Sequence, residues 1–69
     1  MAYAVRLDSL RSQRLAAGRS ITRLAQLSNT SDWLVTRLES GGSCTEMDAV
    51  RLADALGVTT ATLGRSPLS

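Results

Sequence analysis

The chain contains no histidine, and Cys44 is its single cysteine. One cysteine cannot form an intrachain disulfide, which fits a protein of a reducing compartment. With neither histidine nor a cysteine cluster, the residues needed for a metal site or for histidine-based acid–base catalysis are missing. We therefore expect no cofactor, no metal and no enzymatic activity.

Long apolar segments are also missing. No stretch approaches the roughly 18 consecutive apolar residues of a membrane-spanning helix. No charged-then-apolar leader opens the chain. We therefore expect a soluble, cytoplasmic protein with no membrane partner.

Lysine is absent as well, since all eight basic residues are arginine. The formal net charge is only +2, a balance too mild to indicate nucleic-acid binding by itself. Selection for phosphate contacts would explain the arginine bias, and the codon usage of a GC-rich genome would explain it equally well.

The 69 residues allow one small domain. A chain of this size buries only about 60% of its unfolded surface, so it is marginally stable unless its elements are regular or it forms oligomers. We assign the domain to residues 1–64 and a flexible C-terminal tail to residues 65–69, which show no periodicity.

Residues 20 to 41 contain two short helical patterns in succession. Apolar residues recur at three- and four-residue spacing in each, and Ser20 and Ser31 stand where a side-chain oxygen caps a helix. Asn29 suits the left-handed conformation of a tight turn between helices, and Gly41 is a typical helix stop. Two helices of about eight residues joined by such a turn form a helix-turn-helix unit, whose second helix can enter the DNA major groove.

Three further helices are predicted around this unit, over residues 4–17, 46–56 and 60–64. Thr45 and Thr59 are predicted to cap the last two. The residues predicted to face inward are Leu7, Leu10, Arg14 and Ala17 in helix 4–17, Met47, Val50, Leu52, Ala53 and Leu56 in helix 46–56, and Leu63 in helix 60–64. No strand is predicted, so the expected architecture is all-α, a five-helix orthogonal bundle.

The segment after Gly41, residues 42 to 44, is predicted to be a short loop. Cys44 has no cationic neighbour there that would lower the pKa of its thiol. We expect Cys44 to be dispensable for folding and for function.

These residues resemble the helix-turn-helix of the Cro/repressor (Xre-type) family of bacterial and phage regulators. The matching positions are Arg14, Gly18, Ser20, Leu24, Ala25, Ser31, Val35, Arg37, Leu38, Glu39, Gly41, Leu52, Ala53, Ala55, Leu56, Gly57 and Val58. The resemblance extends over about residues 7 to 63 without a gap. It implies the lambda-repressor-like DNA-binding fold.

The resemblance also implies a DNA-binding surface centred on a recognition helix at residues 32–40. The positions implied to contact bases are Asp32, Trp33, Thr36 and Arg37. The positions implied to contact phosphates are Arg19, Ser20, Ile21, Thr22, Arg23, Ser31, Ser40, Gly42 and Ser43.

Three of the positions implied to contact bases have alternative interpretations. Arg37 can pair with guanine O6 and N7, or it can be a solvated surface arginine. Asp32 can accept a hydrogen bond from cytosine N4, or it can simply favour the helix N-terminus through the helix dipole. Trp33 can meet a thymine methyl group, anchor a protein interface, or fold back into the core.

Three places depart from the family pattern. Many relatives have glutamine at the position of Ile21, a basic loop at residues 42–43 and an apolar core residue at the position of Ser28. We expect these changes to keep the fold. They predict modest phosphate-driven affinity unless a dimer doubles the contacts.

Arg14 lies within an apolar helix face, where a buried charge is costly unless it is paired. The resemblance implies that its partner is Glu39, in a bidentate ion pair that fixes the first helix against the recognition helix. The alternative is that Arg14 extends its head group to solvent.

The sequence therefore predicts a sequence-specific DNA-binding transcriptional regulator, such as a repressor or a Cro-like switch. Its partner would be double-stranded DNA with a two-fold or pseudo-palindromic operator, bound by a homodimer. The alternative is a protein–protein interaction module, such as an antitoxin or adaptor, that uses the face of Ile21, Trp33 and Leu34. Cationic surroundings of Trp33 would favour DNA, and an uncharged apolar patch would favour a protein partner.

Overall fold

Four helices and a small sheet form the fold in the computed structural model, which describes residues 4 to 67. In chain order the elements are β1 Ala4–Leu7, α1 Leu10–Ala16, α2 Ile21–Ser28, α3 Asp32–Glu39, β2 Cys44–Thr45, α4 Glu46–Leu56 and β3 Arg65–Pro67. The strands form one antiparallel sheet in the order β2-β1-β3. The protein is mostly helical, but the prediction of a five-helix, purely α bundle is wrong.

The predicted first helix, residues 4–17, is divided between a strand and a helix. Val5 and Leu7 are buried and alternate with exposed neighbours, which is the period-two pattern of a strand with one buried face. Helix α1 begins only at Leu10, and Ala17, which was predicted to face inward, is exposed.

Strand β1 forms because it has pairing partners on both sides. Val5 lies opposite Cys44 of β2 and opposite Pro67 of β3. These ladders satisfy backbone N–H and C=O groups that a helix would have satisfied internally. The backbone hydrogen bonds to β2 and β3 therefore favour a strand over a helix at residues 4–7.

The predicted fifth helix, residues 60–64, is a series of hydrogen-bonded turns. Thr59 caps this segment as predicted, since its Oγ1 accepts a hydrogen bond from the backbone N–H of Thr62 at 3.2 Å. Leu63 is fully buried, also as predicted.

Gly64 ends these turns and leads into the sheet. Its φ of +75° is a left-handed conformation that side chains disfavour, and a Cβ there would lie 2.9 Å from the backbone nitrogen of Ser9. The chain then continues as β3, Arg65–Pro67, so the first three residues of the predicted flexible tail are a strand. Residues 68 and 69 of that tail lie outside the described residues.

Local signals located the other helix ends correctly. The side-chain oxygens of Ser20, Ser31 and Thr45 accept hydrogen bonds from the backbone N–H groups of Arg23, Leu34 and Asp48 at 3.0, 3.1 and 3.1 Å. Asn29 ends α2 with a left-handed φ of 56°, and Gly41 follows α3 with a φ of 95°. Helix α4 has the predicted bounds.

The core lies between the helices and the inner face of the sheet. Its buried apolar residues are Val5, Leu7, Leu10, Leu24, Ala25, Val35, Leu38, Cys44, Ala49, Leu52, Ala53 and Leu63. Two residues of α4 were wrongly predicted to face inward, since Met47 and Val50 are 61% and 45% exposed. Ala49 faces the core instead, where α4 packs against α2. No helix within residues 4–67 is long and apolar enough to cross a membrane.

Candidate nucleic-acid interface

Helices α2 and α3 form the predicted two-helix unit, and the turn between them is closely hydrogen-bonded. Ser28 is buried at the end of α2, where its Oγ donates to the carbonyl of Leu24 at 2.7 Å and lies 2.7 Å from Oγ1 of Thr30. The backbone N–H of Thr30 donates to the carbonyl of Ala25 at 2.9 Å. A serine can occupy this buried position because its hydroxyl is satisfied within the turn.

Arg14 and Glu39 form an ion pair where α1 meets the end of α3. Nε and Nη2 of Arg14 donate to Oε2 and Oε1 of Glu39 at 2.6 and 3.0 Å, which is the bidentate geometry of a strong arginine–carboxylate pair. The two side chains are only 10% and 9% exposed. The hydrogen bond to Glu39 raises the pKa of Arg14, against a smaller lowering by burial.

A third hydrogen bond of Arg14 reaches the start of α2. Its Nη1 donates to the carbonyl of Arg19 at 2.8 Å, and Arg19 directly precedes the Ser20 cap. One guanidinium group therefore holds both the end of α3 and the start of α2. In the part of the chain that the structure describes, no buried side-chain nitrogen or oxygen lacks a hydrogen-bond partner.

The start of α3 is tied to the first turn of α2 by a second contact. Oγ1 of Thr22 donates to Oδ2 of Asp32 at 2.6 Å, and both side chains are exposed. The family resemblance implies a phosphate contact for Thr22 and a base contact for Asp32. The structure brings the two side chains together, so Asp32 also holds the recognition helix against α2.

Trp33 and Arg37 lie one turn apart on the exposed face of α3. Trp33 is 67% exposed, which excludes its interpretation as a core residue. Cζ of Arg37 lies 5.3 Å from the centroid of the Trp33 ring, within the range of a cation–π contact. The exposed tryptophan is therefore covered on one side by a positive charge.

The loop after α3 packs against the stem of Arg37 at Gly42. The backbone N–H of Gly42 donates to the carbonyl of Arg37 at 2.8 Å. A Cβ at residue 42 would lie 2.4 Å from Cγ of Arg37 and 2.8 Å from its carbonyl oxygen. Because the carbonyl belongs to the helix backbone, a rotation of the arginine side chain would not relieve this contact. Gly42 therefore permits a close approach, and its N–H, which was predicted to bind phosphate, is engaged within the chain.

The remaining predicted contact residues differ in how accessible they are. Arg19, Arg23, Thr36 and Ser40 are exposed. The hydroxyl oxygens of Ser20 and Ser31 are occupied as helix caps. Ile21 is partly buried against the core, and Ser43 is half-buried. Among the predicted contact residues, the exposed cations Arg19, Arg23 and Arg37 lie at the start of α2 and on α3.

Cys44 lies in strand β2, in contrast to its predicted position in a loop. Its side chain is buried beside an open cavity of about 310 Å³ that Leu34, Arg37 and Asp48 also line. Burial, with a smaller effect from the negative charge of Asp48, raises the pKa of the Cys44 thiol to about 11. The thiol is therefore neutral at physiological pH and a poor nucleophile. Its burial gives it a place in the core, and its dispensability for folding and function stays a prediction.

Two of these contacts were missed by sequence reasoning. The Thr22–Asp32 hydrogen bond depends on the angle between α2 and α3, and the packing of Gly42 on Arg37 depends on the path of a loop. The stacking of Arg37 on Trp33 had a signal, since side chains four residues apart on a helix are neighbours.

Comparison with known families agrees with this geometry. A family model described as a helix-turn-helix domain matches residues 7–65, a span that includes the two-helix unit, the Arg14–Glu39 pair and all of α4. The chain belongs to this helix-turn-helix domain family. No curated protein matches the chain, and no solved structure matches it.

Membership of the helix-turn-helix domain family indicates a DNA-binding regulator, and such domains are typically not enzymes. The membership is consistent with the resemblance to Cro/repressor (Xre-type) regulators. Across residues 4–67, no group of three or more His, Cys, Asp or Glu side chains could hold a metal ion.

Proposed function

We propose that this helix-turn-helix domain is a cytoplasmic, sequence-specific transcriptional regulator of the Cro/repressor (Xre) type, with α3 in the DNA major groove. The observation that carries this proposal is the exposed face of α3, on which the guanidinium of Arg37 lies over the ring of Trp33. A planar guanidinium on a recognition helix suits bidentate hydrogen bonding to guanine O6 and N7.

Contacts to the phosphates of the DNA backbone would orient α3 in the groove. The first turn of α2 carries backbone N–H groups that no helix hydrogen bond uses, and these favour a phosphate. Arg19, which precedes the Ser20 cap, and Arg23, within this turn, are both exposed. The hydrogen bond between Thr22 and Asp32 fixes the turn relative to α3, so that a phosphate contact at α2 would set the register of α3.

A homodimer on a two-fold or pseudo-palindromic operator fits the limited number of contacts. We expect about three to five phosphate contacts per protomer, which supply only modest affinity at physiological salt. Two protomers on adjacent half-sites would double the contacts and the number of bases read. In this proposal the dimer forms at least on DNA.

The rival function is a protein–protein interaction module on the face of Ile21, Trp33 and Leu34. Ile21 and Leu34 are partly buried and pack against the core, so they add little to an exposed apolar patch. Trp33 is exposed but lies under a cation. Cationic surroundings favour DNA over an apolar protein partner.

Selection from a random duplex library, followed by titration of an Arg37→Ala variant, tests the proposal. The loss of a bidentate contact should cost about 1–3 kcal/mol on the selected duplex and relax discrimination at one base pair. Binding to a scrambled duplex should change less.

Arg11→Ala is the matched control, because it removes the same charge from the exposed side of α1, outside the two-helix unit. It should leave discrimination unchanged. If the two variants lose the same affinity on both duplexes, Arg37 acts only as a surface charge and the proposed base reading fails.

A further inference from the structure

We infer that Trp33 and Gly42 are positioning residues for Arg37, which together hold its guanidinium where a guanine can be read. This inference rests on the proposed function and adds a specificity device to it. It replaces the expectation that Trp33 itself contacts a thymine methyl group.

Trp33 positions the guanidinium of Arg37 by stacking against it. Arg37 lies one turn after Trp33, and its Cζ is 5.3 Å from the ring centroid. The contact uses one face of the indole for the cation. With 67% of the Trp33 residue exposed, the ring is held out beside the arginine and away from the core.

Gly42 positions the aliphatic part of the Arg37 side chain. Its backbone passes so close that a Cβ would meet Cγ of Arg37 at 2.4 Å and Nε at 3.0 Å. Its N–H donates to the carbonyl of the same arginine at 2.8 Å. The stem thus lies against the loop backbone, and the guanidinium lies over the indole.

Holding this side chain matters because an arginine has many rotamers to lose when it binds. A long side chain that is already confined loses less conformational entropy on forming a bidentate contact. The planar guanidinium can stack on an aromatic ring while its edge N–H groups still reach a hydrogen-bond acceptor. The stacked position therefore leaves the edge that reads guanine available.

The test is a double-mutant cycle at Trp33 and Arg37, measured as discrimination between guanine and the other bases at the position that Arg37 reads. Trp33→Tyr keeps an aromatic face and should retain discrimination, whereas Trp33→Leu keeps apolar bulk and should lose about fivefold. In an Arg37→Ala background, Trp33→Leu should cause no further loss, because the residue that it positions is gone.

A second readout does not depend on DNA. In the unbound protein, the indole ring current should shift the NMR signals of the Arg37 side-chain protons, and Trp33→Leu should abolish the shift. Gly42→Ala should reduce it while circular dichroism confirms that the helices remain. Trp33 is the chain's sole tryptophan and Tyr3 is its one other aromatic residue, so the loss of the shift in Trp33→Leu is what assigns it to the indole.

Two results would overturn the inference while leaving the proposed function standing. The first is the absence of a ring-current shift in the parent protein. The second is an equal loss from Trp33→Leu with and without Arg37, since that would mean a direct base contact by Trp33. Binding of the parent to every duplex with equal affinity would instead overturn the proposed function, and the guanine-reading role with it.

Discussion

At the scale of single residues, Arg14 connects more of the candidate site than any position predicted to contact bases does. Its guanidinium binds Glu39 at the end of α3 and the carbonyl of Arg19 at the start of α2. A buried pair of this kind is not strong evidence for stability by itself, because the desolvation of two charges offsets much of their attraction. Its value here lies in geometry, since it fixes the two helices of the helix-turn-helix unit relative to each other.

Glu39→Ala should therefore destabilise the protein strongly. It leaves Arg14 as an unpaired charge that is nearly buried, which costs about 3–5 kcal/mol. Replacement of Arg14 and Glu39 together by apolar residues should cost much less. Urea denaturation of the single and double variants measures both effects.

Arg65→Ala provides the control, since its partner Glu46 and Arg65 itself are both partly exposed. Breaking an exposed pair should cost less than about 1 kcal/mol. A Glu39→Ala denaturation curve that coincides with that of the parent would contradict the structural role of the buried pair.

Because of Cys44, the free energy of unfolding should fall as the pH rises through the alkaline range. Its thiol has a pKa of about 11 in the folded protein, raised from 9.0 by burial. Well below pH 9 the thiol is neutral in both states, so its contribution is fully present there. As the pH rises towards 11, only the unfolded chain gains from ionisation, and stability should fall by roughly 1–2 kcal/mol, a value reduced for the open cavity beside the thiol.

The difference in unfolding free energy between the parent and Cys44→Ala, measured from pH 8 to 11, isolates this effect from the other titrating groups. The parent should lose stability more steeply than the variant. If the unfolding free energies of the parent and the variant fall in parallel with pH, the Cys44 thiol is not buried.

At the scale of elements, the helices of the two-helix unit and α4 were predictable because their signals are local. Ser20, Ser31 and Thr45 cap helices, and a residue with a left-handed backbone follows α2 and α4. Each of these signals acts within one helical turn. For these three helices, the sequence neighbours of the helix ends were sufficient to place them.

The strands were not predictable in the same way because their partners are distant in sequence. Val5 pairs with Pro67, and Leu7 with Arg65. Alternation over Val5, Arg6 and Leu7 is a short period-two signal, but four residues cannot distinguish a strand from a helix start. The exposure of Met47 and Val50 likewise depended on how α4 packs against α2.

The candidate site was predictable to the extent that it follows one helix. Trp33 and Arg37 share a face of α3 because they are four residues apart. The Arg14–Glu39 pair followed from family resemblance. The Thr22–Asp32 and Gly42–Arg37 contacts required the tertiary structure, since each joins segments whose relative placement no local pattern specifies.

Removal of residues 65–69 tests whether β3 stabilises the fold. A chain that ends at Gly64 loses the ladder between β1 and β3, at roughly 1 kcal/mol for each hydrogen bond. It should therefore unfold at clearly lower urea concentration than the parent. A chain that ends at Pro67 keeps β3 and is the control. If both truncated chains unfold like the parent, residues 65–67 contribute no strand.

At the scale of the whole molecule, the net charge of +2 gives little long-range attraction to DNA. In the proposed function, affinity would then come from short-range contacts around α2 and α3, and specificity from the side chains on α3. A dimer on a two-fold site would lose affinity with salt at a slope set by about six to ten phosphate contacts.

The most direct test of a sequence-reading function is the affinity of the parent protein for a selected duplex and for a scrambled duplex of equal length and composition. Both are titrated at two salt concentrations. The protein should bind the selected duplex on the order of a thousandfold more tightly, and the salt dependence should match the contacts of two protomers. Equal affinity for the two duplexes at both salt concentrations would contradict the account.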